Sequence, residues 1–134
     1  MTDVEITHAI IVAAIAVHKE VGPGLLENVY EECMCFELGA RNLEFERQKP
    51  LPVVYRAVKL DCGYRADIVV MRKVVVEIKA VAAIAPIHDA VMLTYLRLSG
   101  CRTGLLVNFH SVALKDGIKR YVWGYPDSSD EERH

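Results

Sequence analysis

The sequence has no long apolar run. Its longest, Ala9 to Val17, is nine residues, and a helix crossing a bilayer needs roughly 20, so no membrane association is expected. It has no CxxC pair. Cys33, Cys35, Cys62 and Cys101 fall at no zinc-ligand spacing, which excludes a zinc ribbon or a dithiol redox motif. With no signal-peptide pattern at its start, the chain is expected in a reduced, cytoplasmic compartment. It also lacks a strong charge of either sign. The net charge of −2 and pI near 6.2 give no global field for nucleic acid, although a local patch can suffice.

What is present is ordinary globular material. The 134 residues are 52% apolar and 25% charged, enough for one domain with one sizeable core. The expected domain spans residues 1–124, followed by an acidic tail, 125–134, expected to be disordered. Charge is unevenly spread. Arg41 to Lys79 holds nine Lys/Arg against five Asp/Glu, whereas Asp127 to His134 holds four acids and one Arg.

Apolar positions Ile6, Ala9/Ile10, Ala13 and Val17 recur at helical spacing, so Ile6 to Val21 reads as a helix capped by Thr2 or Asp3. Gly22-Pro23-Gly24 breaks it. A second helix is expected from Leu25 to Leu38, with Gly39 as its stop signal. Leu43 to Gln48 alternates as a half-exposed strand, with Pro50 and Pro52 suiting an edge. Val53 to Tyr55 continues it, Arg56 to Lys59 reads as a turn, and Leu60 starts the next strand. Tyr64 to Met71 and Val74 to Ala80 are Val/Ile-rich strands. Ile87 to Leu98 is a third helix, Thr103 to Phe109 a buried strand, and Ile118 to Trp123 a candidate last strand. The order α-α-β-β-β-α-β describes an α/β (α+β) fold, with one mixed β-sheet flanked by helices.

Three charges sit inside the two central apolar strands: Asp67, Glu77 and Lys79. Charges there are costly unless paired, solvated or metal-bound. Glu77 and Lys79, two apart, share a face. A three-residue turn, Met71-Arg72-Lys73, pairs Val70 with Val74 and sets Asp67 opposite Glu77, with Cβ atoms roughly 4.5–5.5 Å apart. Two carboxylates so close repel, and a bound cation removes the conflict. Carboxylate oxygens suit Mg²⁺ or Mn²⁺. A two-residue turn would instead set Asp67 opposite Ile78. Taken alone, the pattern is explained more simply by a salt bridge of Lys79 with Glu77 or Asp67.

Asp67 followed by Glu77-Ile78-Lys79 resembles the D…ExK core of the PD-(D/E)xK nuclease superfamily. Gly24-Leu25-Leu26-Glu27-Asn28-Val29-Tyr30 is similar to the signature of the GxxExxY protein family, a branch of it. Val17 to Gly24, Leu51 to Tyr55, Leu60 to Arg65 and Leu114 to Arg120 share the likeness, which covers about residues 6–123. The resemblance implies a restriction-endonuclease-like core and Mg-dependent hydrolysis of nucleic-acid phosphodiester bonds. It implies that Asp67, Glu77 and the Ile78 carbonyl hold one or two ions, with Glu27 leaning over the hairpin. Lys79 would orient the attacking water and steady the pentacovalent phosphate. Glu27, Asp67, Glu77 and Lys79 are therefore the candidate catalytic residues.

Around them the readings divide. Glu27 also fits a first-turn capping acid. Tyr30, Tyr95 and His18 are candidates to support the site, although Tyr30 also reads as a core residue and His18 as a cation at the end of the first helix. Arg65, Arg72, Lys73, Arg47 and Lys49 are the candidate phosphate contacts, and charged sheet edges also discourage aggregation. The likeness has one departure: Val91 stands where related sequences carry Gln, four residues before the retained Tyr95. Valine can neither orient the site nor bond substrate. The alternatives are thus a catalytically impaired nucleic-acid-binding module, or a structural or protein-interaction domain. DNA is the favoured substrate, and a homodimer would let so small a domain engage two strands.

Overall fold

The computed structural model describes residues 1–124, and the acidic tail lies outside them. Helix α1 spans Asp3–Val21. The Thr2 hydroxyl accepts from the Glu5 N–H (3.1 Å) and the Glu5 carboxylate accepts from the Thr2 N–H (2.8 Å). This reciprocal cap satisfies two orphan donors at the start of the helix. The helix stops at Gly22, whose φ of 65° is strained for any residue with a Cβ. Helix α2 spans Glu27–Ala40 and runs through Gly39. The left-handed residue that turns the chain is Asn42 (φ 59°), whose short polar side chain tolerates that conformation.

The strands are β1 (Phe45–Pro50), β2 (Val53–Tyr55), β3 (Val58–Leu60), β4 (Arg65–Val70), β5 (Val74–Lys79), β6 (Thr103–Asn108) and β7 (Ile118–Val122). Helix α3 (Pro86–Ser99) joins β5 to β6. Five strands form one sheet in the order β1-β4-β5-β6-β7. Only β5 and β6 are parallel, so the sheet is mixed. Leu60 does not start a central strand. β2 and β3 form a separate hairpin whose tip, Arg56-Ala57, has positive φ at both residues, the geometry that closes a two-residue turn.

Alternation along the strands sorts the core into two layers. Ile68, Val70, Val74, Val76 and Ile78 pack with α1 and α2 around Ile10, Met34 and Phe109. Val69, Val75 and Leu106 pack with α3 around Met92 and Leu96. Helix α3 lies close on β6: a Cβ at Gly104 would stand 2.6 Å from the Met92 sulfur. Among the described residues no helix is long and apolar enough to cross a membrane.

Candidate functional site

The β4–β5 hairpin opens at the end away from its turn. Met71 and Arg72 take positive φ and the Lys73 N–H donates to the Val70 carbonyl (3.0 Å). This three-residue turn pairs Val70 with Val74, and the ladder runs to Ile68–Val76. Beyond that rung, side chains replace backbone partners. Glu77 Oε2 accepts from the Asp67 N–H and Asp67 Oδ2 accepts from the Ile78 N–H, both at 2.8 Å. Each strand thus presents its carboxylate to the other strand's amide.

A kink in β4 makes room for this. Ala66 and Ile68 are two apart, yet they pack on opposite faces of the sheet. In the neighbouring ladder Arg47 pairs with Ile68 and Lys49 with Ala66, and the Gln48–Asp67 rung is left out. Gln48 has a φ of 52°. The strands are regular on either side of the two residues that diverge.

Burial and mutual repulsion set the electrostatics. Glu77 is 5% exposed. Burial first, and then the charge of Asp67, push its carboxyl up to about 8, against the Asp67 N–H bond and the charge of Lys79. Asp67 is also raised, chiefly by burial and further by Glu31, while the Ile78 N–H and Lys79 oppose the shift. Tyr95 on α3 borders the pair: burial raises its phenol, and the charges of Glu77 and Asp67 raise it further. Lys79 is half-buried, and its ammonium makes no hydrogen bond or ion pair among the described residues. The salt bridge that was the simpler reading of the pattern does not form.

The donor set suits a hard divalent cation. Asp67 and Glu77 each spend one oxygen on a backbone N–H, which leaves Glu77 Oε1, and Asp67 Oδ1 beyond its long contact with Gln48 (3.4 Å), for an ion. Mg²⁺ is commonly held by one or two carboxylates with water and phosphate completing its shell. Glu27 does not converge on them, and among the described residues no group of three His, Cys, Asp or Glu side chains is placed to hold a metal. Glu27 opens α2 and its carboxylate accepts from the Ala80 N–H (3.2 Å), so it steadies the backbone just after Lys79.

Other expected residues are distributed differently. Tyr30 is fully buried and stacked on Phe109 (centroids 4.5 Å apart). Its hydroxyl donates to the Gly22 carbonyl (2.6 Å) and accepts from the Leu25 N–H (3.1 Å), clamping the loop before α2. A ring nitrogen of His18 lies 2.8 Å from the Ser111 carbonyl, tying α1 to the loop after β6. Tyr95 meets Tyr64 edge-to-face at 6.2 Å. Val91 lines a small apolar groove with Tyr64, Ile87, Ala90 and Thr94.

The cations also separate. Arg72 and Lys73 occupy the hairpin turn, and Lys73 donates to the Met1 carbonyl (2.9 Å). Glu77 is four strand steps beyond Lys73, roughly 13 Å, so these two belong to the opposite end. Arg47 is tied to Glu31 (2.5 Å) and Glu32 (3.0 Å), and Lys49 to Glu46 (2.9 Å). Arg65 is exposed at the start of β4 with no ion pair among the described residues.

Three contributors carried little sequence signal. Glu31 is 8% exposed and donated to by Arg47 Nε and Gln48 Nε2 (2.9 Å). Its spacing of four from Glu27 places both on one face of α2, the one clue available. Gln48 also reaches Asp67 Oδ1 at 3.4 Å. Buried Asn108 accepts from the Val81 N–H (3.1 Å) and donates to the Val81 carbonyl (2.9 Å), fastening the segment that leaves Lys79.

A mixed sheet between helices, with two carboxylates and a lysine at the open end of its central hairpin, defines a restriction-endonuclease-like fold. The sequence model of the PD-(D/E)XK nuclease superfamily matches residues 4–121, nearly all of the described chain. The protein belongs to that superfamily. Searches of curated proteins and of solved structures find no match.

Proposed function

We propose that the protein is a metal-dependent nuclease hydrolysing nucleic-acid phosphodiester bonds, with the GxxExxY likeness of Gly24 to Tyr30 marking its branch of the superfamily. The observation that carries this reading is a half-buried Asp67 and a buried Glu77 beside a Lys79 that forms no ion pair among the described residues. Two carboxylates aimed into one opening without a salt bridge are a poor structural choice and a good cation site. A divalent ion, Mg²⁺ or Mn²⁺, held by Asp67 and Glu77 with the Ile78 carbonyl would lower the pKa of water and neutralise phosphate charge.

The chain's own residues supply the rest. Lys79 holds its ammonium where it can orient a water and offset charge developing on the phosphate. Glu27 and Asn108 hold the backbone on its C-terminal side through Ala80 and Val81, which limits how far Lys79 can drift. Arg65, exposed and without an ion pair among the described residues, offers a cation for the phosphate backbone.

One observation favours a second reading, binding without turnover. The α3 surface at Val91 is mostly apolar, with Ile87 and Ala90 around it, and the Val91 side chain itself can bond neither a water nor a phosphate. Incubation of the protein with single-stranded, double-stranded and branched DNA and RNA, in Mg²⁺ or Mn²⁺, separates the two. Cleavage that Lys79→Ala and Asp67→Asn both abolish supports the nuclease. Salt-dependent binding with every substrate uncut selects the impaired module. The same assay decides between DNA and RNA.

A further inference from the structure

Beside the carboxylate pair stands a further acid, the buried Glu31, which the proposed chemistry does not use. Its two oxygens are already engaged: Oε2 by Arg47 Nε (2.5 Å) and Oε1 by Gln48 Nε2 (2.9 Å). The same Gln48 nitrogen lies 3.4 Å from Asp67 Oδ1. Between two carboxylates only the NH₂ end of the amide can face both, so its orientation follows from its neighbours. Gln48 reaches this position from a backbone φ of 52°, a conformation that costs most residues and that Gly adopts freely. A strained glutamine where glycine would be relaxed points to a role for the side chain.

We propose that Gln48, held by Glu31, which Arg47 anchors in turn, positions Asp67 and occupies the place a second cation would take, so that the centre binds a single divalent ion. This rests on the metal reading of Asp67 and Glu77 above. The charges agree with it. Arg47 is shared between Glu31 and Glu32, one divalent ion neutralises Asp67 and Glu77, and Lys79 is left for the phosphate. The acid across Gln48 from Asp67 is Glu31, and to serve a second ion there it would have to release both Arg47 and Gln48. The missing Gln48–Asp67 rung has the same explanation: the side chain of Gln48, rather than its backbone, meets Asp67.

Titration of the full chain with Mn²⁺, followed by calorimetry and by the spin-resonance signal of free Mn²⁺, tests this without any substrate. The expected result is one ion per chain in the wild type and none in Asp67→Asn. Gln48→Gly relieves the backbone, so its melting temperature should equal or exceed that of the wild type. Its Mn²⁺ affinity should nevertheless fall 10–100-fold, the usual loss when a ligand's supporting hydrogen bond is removed. Glu31→Gln should weaken binding in the same direction. Two ions in the wild type overturn the proposal, as does a Gln48→Gly protein with unchanged affinity, or one whose affinity falls only along with its stability. A wild type that binds no Mn²⁺ overturns both this inference and the metal reading. One ion bound with every nucleic acid left uncut overturns the nuclease and leaves the single-ion centre standing.

Discussion

Replacing Glu77 with glutamine is expected to stabilise the metal-free protein at alkaline pH. Glu77 is almost fully buried, and its carboxyl is raised from an ordinary 4.5 to about 8. A folded-state pKa above the unfolded one means that the folded state binds the proton more tightly. Stability from this group is therefore fully present below pH 4.5 and is lost as pH rises through about 8. At about 1.36 kcal/mol for each pKa unit, ionising Glu77 in the folded protein costs up to roughly 5 kcal/mol, a large share of a typical ~5–15 kcal/mol. Glutamine removes the ionisation and keeps an oxygen to accept the Asp67 N–H. The stability difference between Glu77→Gln and wild type should be near zero at pH 5 and grow to about 2–5 kcal/mol by pH 9. At roughly 4 °C per kcal/mol, thermal melts in a chelator from pH 5 to 9 resolve it. Millimolar Mg²⁺ should then raise the melting temperature of the wild type alone. A difference that stays flat across the pH range would refute the reasoning, because burial would not be holding Glu77 away from its charge, and a cation would have no conflict to relieve.

Three further outcomes follow from the geometry. Tyr30→Phe keeps the stack on Phe109 but leaves the Leu25 N–H and Gly22 carbonyl without their partner, and urea titration should show a loss of about 1–3 kcal/mol with Mn²⁺ affinity unchanged. Gly104→Ala forces a methyl group against the Met92 sulfur and should cost about 1–3 kcal/mol in the same titration. Arg65→Ala should weaken nucleic-acid binding and lower the slope of log affinity against log salt by about 0.7–0.9, whereas the Arg72→Ala/Lys73→Ala double variant should leave both unchanged in a fluorescence-anisotropy titration.

The sequence alone was enough to place α1, α2, α3 and the central strands, because the residues that decide them are local. Helical spacing of Ile6, Ile10, Ala13 and Val17, the break at Gly22, and the Val/Ile runs on both sides of Met71 to Lys73 each act within a few positions. The Asp67, Glu77 and Lys79 triplet was legible for the same reason: charges are conspicuous inside apolar strands. Pairing across the chain was not legible. His18 meets a carbonyl 93 positions away. Arg47 looked like a phosphate contact until α2 brought Glu31 and Glu32 to it, and Tyr30, three residues from Glu27 in one motif, turned inward to close the Gly22–Leu25 loop.

Local composition determined that a carboxylate–carboxylate–lysine hairpin exists in a mixed α/β fold. Only the tertiary structure decided that the two carboxylates bond each other's strands, that Lys79 pairs with neither of them, that Glu27 holds backbone rather than joining them, and that Gln48 stands between Glu31 and Asp67. The physical reason is that a charge is free or spent according to what approaches it. That depends on which elements pack together, and no single stretch of sequence carries that information.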